Sequence, residues 1–120
     1  MKSIAIDNDG VIFKFVEGFL PFYNIRTGLN LTYNDIKYYG IGKCSNPEIT
    51  SEEFKEILLD FADQDGYKNL EIYPYAKETL RQLSSKYLLH IVTARPISRI
   101  DPNKVKEQTE LCCLSILRHI

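Results

Sequence analysis

Two short apolar runs organise the chain, and each ends in polar residues. Ser3-Ile4-Ala5-Ile6 runs into the turn-forming Asp7-Asn8-Asp9-Gly10, and Tyr87-Leu88-Leu89-His90-Ile91-Val92 runs into Thr93-Ala94-Arg95-Pro96. Unbroken apolarity, in place of alternation, predicts strands covered on both faces, as in a parallel sheet. The stretch between them is helical in pattern. Phe13 to Thr27 is rich in aromatics, with Phe15, Phe19, Phe22 and Tyr23 at mixed helical spacings. Thr32 and Asp35 predict a short capped helix. Thr50 and Glu53 form a cleaner capping box and open a helix that puts Phe54, Ile57, Leu58 and Phe61 on one face, with Asp65-Gly66 as its stop. Pro74 then begins a helix through Leu80 and Leu83 that returns the chain to the second strand. After a polar loop from Ile97 to Asp101, Pro102 suits a helix start. Val105, Thr109, Cys112, Cys113, Ile116 and Ile120 fall on one helical stripe, although Leu111 to Leu117 is also compact enough for a strand.

Composition narrows the class without naming a function. The chain has 120 residues, 44% of them hydrophobic and 26% charged, which suits one globular domain with a real core. Fifteen basic residues face sixteen acidic ones, so no global field calls for a nucleic-acid polymer. Cys44, Cys112 and Cys113 lack any metal-ligand spacing and read as free thiols in a reducing compartment. No apolar run reaches the roughly 20 residues of a membrane span. Met1-Lys2-Ser3 leads straight into a strand with no signal-peptide region, so the expectation is a cytoplasmic protein.

The candidate chemistry sits where the runs end. In open α/β sheets, ligands collect outside the carboxyl ends of the strands. Asp7 and Asp9 put two carboxylates at one strand tip, and such close carboxylates coexist most easily around a divalent cation. Gly10 lets the backbone turn sharply there. Taken alone, Asp-Asn-Asp-Gly is equally an Asx-turn that ends a strand. Thr93 ends the second run with a hydroxyl able to donate to a phosphate oxygen beside Asp7, and Arg95 is able to pair with an anion. Phe15 and its neighbours suit either stacking on a base or, more simply, packing. Asp63-Gln64-Asp65-Gly66 echoes a calcium loop, but Phe61 and Ile72 would fall on ligand positions. Gly40 to Cys44 lacks the gap and the hydroxyl of a P-loop.

Together these features resemble the haloacid dehalogenase-like phosphatases. Ile4-Ala5-Ile6-Asp7-Asn8-Asp9-Gly10-Val11 looks like their first motif and Ile91-Val92-Thr93 like their second. The continuation Thr93-Ala94-Arg95-Pro96 looks like that of the 5'(3')-deoxyribonucleotidase branch. The resemblance implies an α/β, Rossmann-like parallel core of residues 1–13 and 73–120, with a small helical cap of residues 14–72 inserted after the first strand. It implies Asp7 as nucleophile and Mg²⁺ ligand, and Asp9 as acid and base with its backbone carbonyl on the metal. Thr93 would hold the phosphoryl group, with Ala94, Arg95 and Phe15 toward the substrate. The implied substrate is a small phosphomonoester, first of all a (deoxy)nucleoside monophosphate, and the cofactor is Mg²⁺.

The departures from that pattern shape the rival readings. The family also needs a lysine beyond the second motif and a later acidic pair, and this chain ends 27 residues past Thr93. Lys104 and Lys106 lie too early, on the helix expected after Pro102, and Glu107 and Glu110 lie on that same helix and not at a strand end. The core is therefore expected to be incomplete at its C-terminus, with an open edge near Cys112, Leu114 and Ile116 that favours a homodimer. The alternative to an enzyme is a degenerate relative that binds Mg²⁺ or a phosphate ligand, or serves as an interaction module. A receiver-like domain phosphorylated on Asp7 fits less well, because a large helical segment follows the first strand.

Overall fold

The structure is a computed structural model, and it describes residues 1–36, 41, 49–93, 95–96, 101 and 103–110. The expectations on Ala94, the three cysteines, Leu114, Ile116 and the 111–117 stretch lie outside the described residues. The fold is α/β. Strand β1 (Ser3–Asp7) is followed by α1 (Phe15–Thr27), a single 3-10 turn (Tyr33–Asp35), α2 (Ser51–Asp63), α3 (Ala76–Ser84) and strand β2 (Leu88–Val92). Residues 104–110 form a further helix, α4.

β1 and β2 pair in parallel, with Ser3 opposite Leu88, Ile4 opposite Leu89, Ala5 opposite His90, Ile6 opposite Ile91 and Asp7 opposite Val92. Parallel neighbours need a crossover, and the helical stretch between the strands supplies it. The expectation that both faces are covered is corrected. Ile4, Ile6, Leu89 and Ile91 are half-buried, whereas Leu88 and Val92 are 53% and 54% exposed. α3 packs against β2, and burial alternates along both strands, so that Leu88 and Val92 point out.

Local sequence sets the helix ends. α1 stops at Gly28, whose φ of 75° is left-handed, and the Gly28 N–H donates to the Asn24 carbonyl at 2.8 Å. The Asn24 side chain then clamps the exit, donating from Nδ2 to the Leu31 carbonyl and accepting the Leu31 N–H, both at 3.0 Å. The Thr32 N–H donates to Asp35 at 2.7 Å, but the helix it opens is only one 3-10 turn. Thr50 caps α2 by accepting the Glu53 N–H at 3.1 Å. α2 ends at Asp63, and Asp65 takes the left-handed conformation, with φ 61°. Pro74 lies in a turn, and α3 begins two residues later, at Ala76.

The core is aromatic where α1 meets α2. Phe19 and Tyr23 are fully buried, and Phe61 is nearly so. Phe19 stacks on Phe15 with centroids 5.2 Å apart and meets Phe61 edge-on at 5.1 Å. Offset and edge-to-face pairs of this kind add about 0.5–1.5 kcal/mol each beyond buried area. Arg26 and Asp60 pair at the rim of the same contact. The apolar cluster continues through Tyr67 and Leu70 to Leu80 and to Val105 of α4. Among the described residues no helix is long and apolar enough to cross a membrane.

Candidate active site

Ladder register brings the candidate residues to one end of the sheet. Asp7 is the last residue of β1 and pairs with Val92, so Thr93 leaves β2 one position beyond the partner of Asp7. Asp7 is exposed, and one of its carboxylate oxygens accepts the Asn8 N–H at 2.8 Å. The chain then turns tightly. The Asn8 carbonyl accepts N–H bonds from Ile12 at 2.9 Å and Phe13 at 3.1 Å, and the Gly10 N–H donates to Phe13 at 2.8 Å. Gly10 has φ 82°, a conformation that costs glycine nothing and a residue with Cβ roughly 1–2 kcal/mol. The segment after α2 fastens this turn from the side. Tyr73 N–H donates to the Ile12 carbonyl at 2.9 Å, and Lys14 N–H to Glu71 at 2.8 Å. Between the two aspartates, the Asn8 side chain is fully buried, and its amide has no hydrogen-bond partner among the described residues.

Asp9 is neutralised by a residue 86 positions away. Arg95 Nη2 donates to Asp9 Oδ1 at 2.7 Å, and Nε lies 3.0 Å from Oδ2 and 3.2 Å from Oδ1. This is the two-point guanidinium–carboxylate fork, among the stronger charge-assisted contacts proteins make. The Arg95 side chain is only 2% exposed, against 22% for Asp9. Its Nη1 donates to the Thr109 hydroxyl at 3.0 Å, and that hydroxyl in turn donates to the Val105 carbonyl at 2.7 Å. The guanidinium carbon lies 4.9 Å from the Tyr67 ring centroid and 5.3 Å from that of Phe13. Burial pushes the Tyr67 phenol well above the usual tyrosine range; the Asp9 charge adds to that push and Arg95 opposes it.

The structure thus separates the expected site residues into groups. Asp9 and Arg95 meet directly. Asp7 and Thr93 end neighbouring strands. Phe15 belongs to the aromatic core, stacked on Phe19 and on Tyr67 with the latter centroid at 5.9 Å. Thr93 and Arg95 share a cavity of about 250 Å³ whose lining also includes Lys106 and Glu110 of α4. The sequence pattern sets Lys106 aside as too early in the chain, and Glu110 as lying on a helix and not at a strand end. Lys104 does point elsewhere, 2.8 Å from Asp65 Oδ1. Phe13, Tyr67 and Thr109 were missed as supports of the site. Helical spacing put Thr109 on the buried stripe with Val105, but nothing local marked Tyr67 or Phe13.

The donor set suits a hard cation in type. Asp7 offers an exposed carboxylate, and Mg²⁺ is commonly held by one or two carboxylates plus water and phosphate oxygens. The Asp9 carboxylate is committed to Arg95, which leaves its backbone carbonyl as a further donor. Among the described residues there is no cluster of three acidic, histidine or cysteine side chains.

With that geometry in view, the similarities to known proteins fall at phosphate-ester chemistry. A protein of Staphylococcus epidermidis named "Putative 5'(3')-deoxyribonucleotidase" is 29% identical over 94 residues, covering 78% of this chain and 49% of that protein. The like-named protein of a second strain of the same species matches equally. A phosphoglycolate phosphatase of Vibrio vulnificus is 35% identical over 66 residues, covering 52% of this chain and 28% of that protein. The similarity is weak, and it is to proteins named as a nucleotidase and a phosphatase. It spans about half the length, or less, of these curated relatives. No family model matches it.

Proposed function

We propose that this chain carries the nucleophile, the acid–base group and a phosphate-holding hydroxyl of a Mg²⁺-dependent phosphohydrolase. Its substrate is a small phosphomonoester, first of all a (deoxy)nucleoside monophosphate. The observation that supports this most directly is the register that sets Asp7 opposite Val92, and so beside Thr93, at the carboxyl end of a parallel pair. The names of the distant relatives point the same way.

In this reading an Asp7 carboxylate oxygen attacks phosphorus, forming the aspartyl-phosphate as the ester P–O bond breaks. Asp9 gives its proton to the departing alkoxide. Asp9 then takes a proton from water, which attacks phosphorus and returns Asp7 as a carboxylate with release of inorganic phosphate. Thr93 and Arg95 hold phosphoryl oxygens. When bound to Asp7 and the Asp9 carbonyl, Mg²⁺ supplies neutralisation of phosphate charge.

One observation favours a second reading, a binder without turnover. Asp9, the proton carrier, is held by Arg95 in this state. The deciding assay is Mg²⁺-dependent phosphate release from deoxynucleoside monophosphates and from an aryl phosphate. Release that is abolished in Asp7→Asn supports the enzyme. Release that persists unchanged in Asp7→Asn rules out the mechanism, and its absence from the wild type hands the function to the binder.

A further inference from the structure

The Arg95–Asp9 pair is built asymmetrically. The guanidinium is fixed by Thr109 and flanked by the Phe13 and Tyr67 rings, with almost none of its surface exposed. Asp9 sits on the tight turn beside Gly10, is partly exposed, and among the described residues has Arg95 as its side-chain partner. The cavity that meets Arg95 also meets Thr93, the hydroxyl assigned to phosphate. A carboxylate and a phosphate present the same two-oxygen bite to a guanidinium. One fixed fork therefore faces two anions, of which only Asp9 belongs to the protein.

We infer that Asp9 is a resident competitor for the phosphate site: Arg95 holds it until a phosphate dianion, seated on Thr93, takes over the fork and displaces the carboxylate. The inference rests on the phosphohydrolase reading, and adds to it a condition on when Asp9 is available. While paired, Asp9 Oδ1 accepts from Nη2 and Nε, and Oδ2 accepts from the same Nε, so both carboxylate oxygens are engaged by the guanidinium. Phosphate binding frees the carboxylate, which takes a proton from solvent and then gives that proton to the departing alkoxide. The guanidinium stays where the two rings and Thr109 hold it. Lys106, in the lining of the same cavity, adds attraction for the incoming anion, and Glu110 opposes it.

The test is a double-mutant cycle on the affinity for inorganic phosphate, read by titration calorimetry at fixed Mg²⁺. Asp9→Asn vacates the fork and should tighten phosphate binding about tenfold, while Arg95→Gln should weaken it by about the same factor. In the Arg95→Gln background, Asp9→Asn should change the affinity by less than about twofold. If the gain from Asp9→Asn is equally large without Arg95, the effect is plain charge repulsion and the competition is wrong. If Asp9→Asn weakens binding, the pair builds the site and does not block it, which also overturns the inference.

Loss of a buried cation can prevent folding. Arg95→Lys, which keeps the charge and loses the fork, then carries the same cycle. The wild type gives an independent reading: the Arg95 Nε–Hε resonance, identified by its absence in Arg95→Lys, should shift as phosphate is titrated. An unmoved resonance at saturating phosphate overturns the inference. Turnover and competition fail separately. Asp7-dependent phosphate release with no coupling in the cycle removes the competition alone; coupling without any phosphate release removes the hydrolase reading alone.

Discussion

Lys104 Nζ sits 2.8 Å from Asp65 Oδ1 and also donates to the Asp63 carbonyl at 2.9 Å. This one cation closes two open valences at the end of α2, a carboxylate on a left-handed residue and one of the last helix carbonyls. Gln108 adds a second donor to Asp65 Oδ1 at 2.9 Å. α4 is thereby fixed against the C-terminus of α2, with Lys104 and Gln108 one helical turn apart on the joining face. The same helix carries Thr109 to Arg95. The junction and the candidate site share an element.

Hydrogen bonds from Lys104 and then Gln108 hold the Asp65 carboxyl below its ordinary range. A depressed carboxyl favours the native state at pH values above its unfolded pKa of about 3.9, and the advantage is lost as pH falls through the lower folded value. Asp65→Asn removes the charge and keeps a residue that tolerates the left-handed conformation. The melting temperature of Asp65→Asn should therefore lie below that of the wild type near neutrality, with the gap closing as pH falls below about 4. Asp65 is exposed enough that the gap should be small and should shrink with added salt. Thermal melts across this range check it. A gap that is constant with pH would assign the effect to the side chain's shape and not to its charge.

Two glycines offer a contrast in what a single methyl meets. A Cβ on Gly66 would run into three ring atoms of Phe61, and one on Gly18 into the end of the Leu70 side chain. The Phe61 ring is held by Phe15, Phe19, Phe22 and Tyr67, with centroids 5.1–6.2 Å away, so it has no room to yield. Gly66→Ala should destabilise by about 1–3 kcal/mol, the usual cost of overpacking. Gly18 lies inside α1, where alanine recovers roughly 0.8–1 kcal/mol of helix propensity while Leu70 shifts a flexible branch. Gly18→Ala should fall near neutral. Urea unfolding of both variants measures the difference, and equal losses would mean that Leu70 is as immobile as Phe61.

What the sequence made legible was local. The two apolar runs marked the paired strands, Thr50 and Glu53 marked the start of α2, and Asp65-Gly66 marked its end, because each signal lies within a few residues. Coverage of the sheet was misjudged at Leu88 and Val92. A run of five apolar residues looks the same whether one face or both are packed, and only the placement of α3 decides. The Arg95–Asp9 fork was beyond reach. Each residue was legible as a candidate, but their pairing joins positions 86 apart through Phe13, Tyr67 and Thr109 on three different segments. Lys106 was discounted for its position in the chain, and the fold of α4 against β2's exit brought it to the Thr93 cavity all the same.

If the chain hydrolyses phosphomonoesters, three substitutions should hurt in a fixed order. Asp7→Asn removes the attacking oxygen, and no other described carboxylate ends a paired strand, so turnover should be lost entirely. Asp9→Asn keeps the shape and takes away the proton carrier, for which losses of about 10²–10⁴-fold are usual. Because Asp9→Asn also vacates the Arg95 fork, its KM should fall while kcat collapses, a split that a merely misfolded variant would not give. Thr93→Val removes one neutral hydrogen bond to the phosphoryl group, worth about 0.5–1.5 kcal/mol, and so should cost about tenfold or less, mostly in KM. Steady-state kinetics on one deoxynucleoside monophosphate and one aryl phosphate give all three numbers. Thr93→Val as damaging as Asp7→Asn would mean that Thr93 carries chemistry and not only position. Equal losses for both substrates in every variant would say that the chain reads the phosphate and ignores the base.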